Sequence, residues 1–219
     1  MNPVFPSILS TNYFNLESKL TELQDNKIDF IHLDVMDGNF VDNISFGPAA
    51  VKAIKSKFNF KFDSHLMVKN PGKTIPWFIE AGSDWISFHI ETGDKIKENI
   101  AYIKQNNRNA GLVLNPDTEI ESLFPYLKTI DYILLMSVFP GFGGQKFIET
   151  TYDRVSKLKK EINRQKTDCL IQVDGGINLD IIPRLKAAGN DLFVIGTFLY
   201  NSKDIKTTLT AIMNKIDGD

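Results

Sequence analysis

The chain has 219 residues, 42% of them hydrophobic and 24% charged, with a formal net charge of −2 and one cysteine. The length suits a single domain spanning 1–219 with a full core. The balance of charge gives no electrostatic basis for holding nucleic acid or an anionic membrane. Cys169 alone excludes an intrachain disulfide and a thiolate cluster, and reads as a small buried hydrophobe. No run approaches the ~20 apolar residues of a membrane helix. MNPVFPSILS lacks the basic and apolar regions of a signal peptide, so the expected compartment is the cytoplasm.

In chain order, the predicted strands are 3–9, 28–34, 60–66, 84–88, 110–114, 131–137, 169–174 and 191–195. They are short, rich in β-branched or aromatic residues, and often apolar on both faces, as in a parallel sheet covered on both sides. Pro6 is awkward for a central strand and blurs the limits of the first. Helical patterns lie between the strands. Pro48 suits a first helical position, with Val51, Ile54 and Phe58 following on one face. Thr118 to Glu121 reads as a capping box. Val155, Leu158 and Ile162 form one core-facing stripe, and Ile205, Leu209, Ile212 and Ile216 form another. The basic run KLKKEINRQK (157–166) reads as a solvated helix face.

Eight strand–helix units without a linker give the α/β class. Right-handed crossovers repeated eight times close most economically as a (β/α)8 barrel of the TIM type. A doubly wound open sheet is the alternative, but no G-x-G-x-x-G follows the first strand.

The residues with chemical potential fall at strand ends. His32 and Asp34 are two apart on strand 2, so they share a face, which in a barrel is the lumen. His65 ends strand 3 and Asp174 ends strand 7. Two imidazoles and two carboxylates suit a divalent transition metal, and ligands gathered from several strand ends point to a barrel enzyme with a metal at its mouth. His89, just after strand 4, reads either as lining the site or as supporting or structural, with Glu91 two residues on. Glycines cluster in three late loops: PGFGGQ (140–145), Gly175-Gly176 and Gly196-Thr197. Late barrel loops are where phosphate sites form, with backbone amides approaching the oxygens. Met36, Met67 and Met136 stand near the mouth, either as core filler or as an apolar lid that lowers the local dielectric.

The stretches PSILS (6–10), HLDVMDGNFV (32–41), HLMV (65–68), NPDT (115–118), PGFGGQKF (140–147) and VDGGIN (173–178) resemble the ribulose-phosphate 3-epimerase family, in its order and over nearly the whole chain. The resemblance implies a (β/α)8 barrel that interconverts D-ribulose 5-phosphate and D-xylulose 5-phosphate by inversion at C3. It implies metal ligation by His32, Asp34, His65 and Asp174, with Asp34 and Asp174 as the two acid/base groups. It implies sugar contact by Ser7 and a phosphate end at Gly141, Phe142, Gly143, Gly144, Gly175, Gly176, Gly196 and Thr197. One divalent ion per subunit is expected, commonly zinc, with iron, manganese or cobalt also compatible, in a homo-oligomer acting on a small sugar phosphate. The chain departs from the family pattern at Ser10-Thr11-Asn12, Asp42, Phe139 and Thr197, none of them among the four ligands. The rival readings are an epimerase for a six-carbon ketose phosphate such as allulose 6-phosphate, a decarboxylase on the same barrel, and a non-catalytic sugar-phosphate binder. The decarboxylase reading would rest on Asp25, Lys27 and Asp29, whose spacing does not fit.

Overall fold

The computed structural model of the protein describes residues 1–93 and 95–218. Eight parallel strands lie at its centre: β1 (Val4–Pro6), β2 (Phe30–Met36), β3 (Lys61–Met67), β4 (Trp85–His89), β5 (Asn109–Leu114), β6 (Tyr132–Met136), β7 (Leu170–Asp174) and β8 (Leu192–Ile195). Each pairs with its neighbour in sequence from β2 to β8, and β8 pairs with β1. A single parallel bridge from Ser7 to His32 closes the ring between β1 and β2. Around the ring run α1 (Leu16–Asp25), α2 (Pro48–Lys55), α3 (Pro71–Ala81), α4 (Ile96–Gln105), α5 (Thr151–Gln165), α6 (Ile182–Ala188), α7 (Thr197–Tyr200) and α8 (Ile205–Asp217). This is the (β/α)8 barrel expected from the sequence.

Alternation along the strands divides two cores. On β2, Ile31, Leu33 and Val35 face outward into the layer between strands and helices. The stripes on α5 and α8 are buried in the same layer, where Val155, Leu158, Ile162, Leu209 and Ile212 pack. Inside the ring, Phe5, Phe30, Trp85, Tyr132 and Leu192 form an apolar plug. Phe5 and Phe30 stack at 4.5 Å between ring centroids, and Trp85 lies 4.6 Å from Tyr132. Aromatic packing at these distances is favourable. It fills the barrel below the polar residues, which leaves the carboxyl ends of the strands as the side with a cavity.

Gly111 on β5 makes room for this arrangement. A Cβ there would lie 2.5 Å from the Tyr132 ring. The ring therefore leans across the glycine, and its hydroxyl donates to Asp63 at 2.8 Å.

Several local expectations change. β1 ends at Pro6, and Ile8–Ser10 turns as a 3-10 segment. The proline, which has no N–H to donate, is thus the last residue of its strand. β2 runs on to Met36, so Asp34 stands inside the strand rather than at its end. His89 belongs to β4 and pairs with Val113 of β5. Thr118 to Glu121 is not a capping box: the Thr118 hydroxyl donates to Glu91, and Ile120–Tyr126 is a 3-10 segment with no side-chain cap. Pro125 lies within that segment, removing a backbone donor just where an α-helix would need it. Between β5 and β6 the barrel accordingly carries a 3-10 turn in place of an α-helix.

Candidate active site

Strand register sets the sequence-selected residues side by side on neighbouring strands. His32 is paired with Asp63, Asp34 with His65, and Met36 with Met67 across β2 and β3. Met136 is paired with Asp174 across β6 and β7. One potential ligand atom from each of His32, Asp34, His65 and Asp174 lies within 4.8 Å of the others. His32 and His65 are fully buried, Asp34 is 4% exposed and Asp174 is half-buried, and both carboxylates line the cavity.

Asp34 is the most heavily engaged carboxylate. Its Oδ2 accepts from the Ser7 hydroxyl at 2.6 Å. Its Oδ1 stands 3.4 Å from His32 Nε2 and 3.3 Å from His65 Nδ1. The Ser45 hydroxyl donates to its backbone carbonyl and accepts from the Met36 N–H at 3.0 Å, pinning the loop after β2 beneath the site.

Asp63 was not singled out from the sequence. It is fully buried and accepts from His32 Nδ1, Tyr132 Oη and Gln172 Nε2, each at 2.8 Å. Its place two residues before His65 on one strand was the available signal, because i and i+2 share a face. Asp63 holds the Nδ1–H of His32, which leaves Nε2 turned into the cluster. That nitrogen is buried and has no hydrogen-bond partner. An orphaned imidazole nitrogen beside carboxylate oxygens is the donor set a divalent transition metal takes, and a carboxylate behind the ring is the usual support for a ligating histidine. The residues present fit such an ion.

The ionisation of the cluster follows its packing. Burial works against charge on His32, but the charges of Asp34 and Asp63 outweigh it and hold the imidazole well above its usual range. Burial likewise works against Asp34, yet the charge and hydrogen bond of His32 keep its carboxyl well below the usual carboxylate range. Asp174 stands farther from the imidazoles, with Oδ2 3.9 Å from His32 Nε2, and burial, then the charge on Asp34, outweigh that partner and push it up to about 7. Burial brings His65 down to about 4. Without a metal, protons take up part of the excess negative charge.

Above the cluster lies a cavity of about 260 Å³, small for a ligand site. Met36, Met67 and Met136 line it beside the carboxylates and are buried. Its far end is walled by Ser10, Gly141, Phe142, Gly143, Gly144, Gly175, Gly176, Gly196 and Thr197. The Ser10 and Thr197 hydroxyls meet at 3.0 Å. Gly176 has a φ of +65°, and a Cβ on it would lie 2.6 Å from the Phe147 amide nitrogen, so no other residue fits this crossing of two loops. Among the described residues, no protein acceptor takes the amides of Gly143, Gly144, Gly176 or Gly196. Ser10 is the one member of this wall that the sequence left aside.

His89 is buried beside the cluster, with Nε2 at 2.8 Å from His65 Nε2. The rival decarboxylase residues are elsewhere: Asp25 ends α1, and Lys27 and Asp29 lie in the loop leading into the amino end of β2, all three exposed and opposite the cavity. Lys157 and Arg164 of the basic run pair with Glu121 and Glu161 on the surface, as a solvated face does.

Comparison with known proteins agrees with this geometry. The model of the ribulose-phosphate 3 epimerase family matches residues 3–200. The ribulose-phosphate 3-epimerase of Aquifex aeolicus is 40% identical over 94% of this chain and 93% of its own length. That of Bacillus subtilis is 38% identical over 97% and 98%, and that of Escherichia coli 35% over 97% and 95%. Among solved structures, 3-hexulose-6-phosphate synthase from Salmonella typhimurium superposes with a TM-score of 0.71 at 16% identity, covering 99% of each chain. KGPDC from Streptococcus mutans superposes at 0.70 and 15%, covering 100% of this chain and 98% of that one. At such identities the structural likeness speaks for the fold alone, whereas the sequence likeness extends over nearly the whole chain, and the protein therefore belongs to the ribulose-phosphate 3-epimerase family.

Proposed function

We propose that this chain interconverts D-ribulose 5-phosphate and D-xylulose 5-phosphate by moving a proton at C3, with Asp34 and Asp174 as the two acid/base groups. The observation that carries the reading is the meeting of two carboxylates from β2 and β7 at the floor of one small cavity. Inversion at a carbon needs a proton removed from one face and returned to the other. A carboxylate on each side of the bound sugar does this without turning the substrate over.

The residues divide the work. Ser7 holds Asp34 in place through the 2.6 Å hydrogen bond and lies close enough to contact the sugar. The C3 proton is acidic because the neighbouring C2 carbonyl can take the charge as an enediolate. His32, Asp34, His65 and Asp174 would hold a divalent cation, zinc or one of iron, manganese and cobalt. Such an ion supplies Lewis-acid stabilisation of the charge on the sugar oxygens. Met36, Met67 and Met136 exclude water above the reacting carbons, which strengthens every charge interaction beneath them. The free amides of the glycine loops, with the Thr197 hydroxyl, face the far end and suit a phosphate. We assign the enzyme to the cytoplasm as a homo-oligomer of single-barrel subunits. No helix among the described residues is long and apolar enough to cross a membrane.

The test is solvent exchange at C3. Purified protein with ribulose 5-phosphate in deuterated water should incorporate deuterium at C3 while xylulose 5-phosphate accumulates, followed by NMR. Faster turnover of allulose 6-phosphate would move the assignment to a six-carbon substrate. Binding with neither exchange nor turnover would leave a sugar-phosphate binder.

A further inference from the structure

Beside the cluster lies a chain of polar groups that the proposed reaction does not use: the buried His89, the half-buried Glu91 and the NPDT segment 115–118. We propose that Glu91 and His89 are positioning residues that lock His65 with its proton on Nε2 and present its bare Nδ1 to the cation site. The proposal rests on the metal reading above.

The direction of each hydrogen bond follows from what the previous one leaves. Glu91 Oε1 accepts from the Asn115 N–H and from the Thr118 hydroxyl, both at 2.7 Å. These donors stay in place because Arg154 of α5 donates to the carbonyls of Asn115, Pro116 and Thr118 at 2.7–2.8 Å. Glu91 Oε2 is left facing His89 Nδ1 at 3.1 Å. Burial alone would raise Glu91, but His89 and the donors of the 115–118 segment keep it below its usual range. A carboxylate only accepts, so His89 donates from Nδ1 and, being neutral, can only accept at Nε2. That nitrogen is 2.8 Å from His65 Nε2, both rings are fully buried, and His65 must therefore donate. The remaining nitrogen of His65 is a lone pair, and it is Nδ1 that stands 3.3 Å from Asp34 Oδ1.

His32 is set the opposite way. Asp63 takes its Nδ1–H and turns Nε2 inward. The two histidines thus offer different nitrogens, each dictated by a carboxylate behind it. The NPDT segment acquires a role at a distance: it clamps the carboxylate at the head of the relay.

Glu91→Gln is the discriminating variant, because it preserves shape and reverses polarity. The amide oxygen must take the Oε1 position to accept from the Asn115 N–H, so the amide nitrogen faces His89 Nδ1. His89 then donates from Nε2, and His65 moves its proton to Nδ1, over the lone pair meant for the ion. Two-bond proton–nitrogen NMR of histidine-labelled protein reads the tautomer, and chelator competition reads zinc affinity. Wild type should show His65 protonated at Nε2 with and without zinc. Glu91→Gln should switch the tautomer in metal-free protein and weaken zinc binding about 10- to 100-fold. Glu91→Asp keeps a carboxylate and should recover most of that loss, although it disturbs packing more. A role in packing alone gives the reverse order of the two variants and overturns the proposal. So does wild-type His65 protonated at Nδ1, or a Glu91→Gln protein with unchanged tautomer and affinity. Wild-type protein that binds no divalent cation overturns the metal reading, and the tautomer spectrum of the same sample still decides the relay.

Discussion

Asp34 and Asp174 have the same side chain and opposite surroundings. Asp34 accepts from a serine hydroxyl and lies 3.4 Å from the charged His32, whereas Asp174 is 3.9 Å from His32, with a negative neighbour and a desolvated site. Asp174→Asn should leave the fold and phosphate binding intact and lower kcat by about 10²–10⁴, the range for a lost acid/base group. Near-normal epimerisation by that variant would sink the two-carboxylate mechanism. The same asymmetry sets a pH dependence. Asp174 titrates at about 7 in the metal-free site, so below that pH an incoming cation must displace its proton. Zinc affinity should then fall at least tenfold for each pH unit below about 7, and more steeply where His32 must also give up its proton. Titration calorimetry in buffers of different ionisation enthalpy would count the protons released. A pH-independent affinity between about 5 and 7 would contradict this picture. At this scale His32, Asp34, His65 and Asp174 were legible, because each is a polar residue in an apolar strand. Asp63 and Ser10 were not, because nothing in one strand tells which distant donor its carboxylate or hydroxyl will meet.

At the scale of elements, the strands were legible and the turns between them less so. Period and apolarity marked all eight strands, with errors of a few residues at β1 and β2. The 115–126 region misled, because Thr118 and Glu121 stand at capping-box spacing while the Thr118 hydroxyl is taken by Glu91 from β4's end. A side chain's partner across the barrel outweighs a local preference worth about 1 kcal/mol. Two contacts between elements can be tested by substitution. Asp204 caps α8 by accepting from the Thr207 N–H at 2.9 Å. Asp204→Ala should cost about 1 kcal/mol in urea denaturation with turnover unchanged, since the cap lies outside the cavity. Gly111→Ala should cost about 1–3 kcal/mol by overpacking, because its methyl would sit 2.5 Å from the Tyr132 ring. It should also weaken zinc binding, since Tyr132 would be pushed off Asp63 and Asp63 orients His32. A Gly111→Ala protein with full stability would show that the ring moves aside freely.

For the whole molecule, closure of the ring decides everything about the site. His32, Asp34 and His65 arrive on adjacent strands, but Asp174 comes from β7, separated from β2 by β8 and β1. In an open sheet those strands would stand apart; the Ser7–His32 bridge makes them neighbours across a lumen. The aromatic plug then fills the lower lumen, and the polar layer is left facing the late loops. By itself the sequence determined the class of fold, the strands, the four ligand candidates and the glycine-rich end, because periodicity and residue chemistry are local properties of a chain. The tertiary structure alone decided that His32 turns Nε2 inward, that Asp34 is the more acidic carboxylate and Asp174 the less, and that Asp63 and Glu91 lie against His32 and His89. Those are properties of distance and burial, and residues as far apart in sequence as Asp63 and Gln172 acquire them only when the barrel brings them within 2.8 Å.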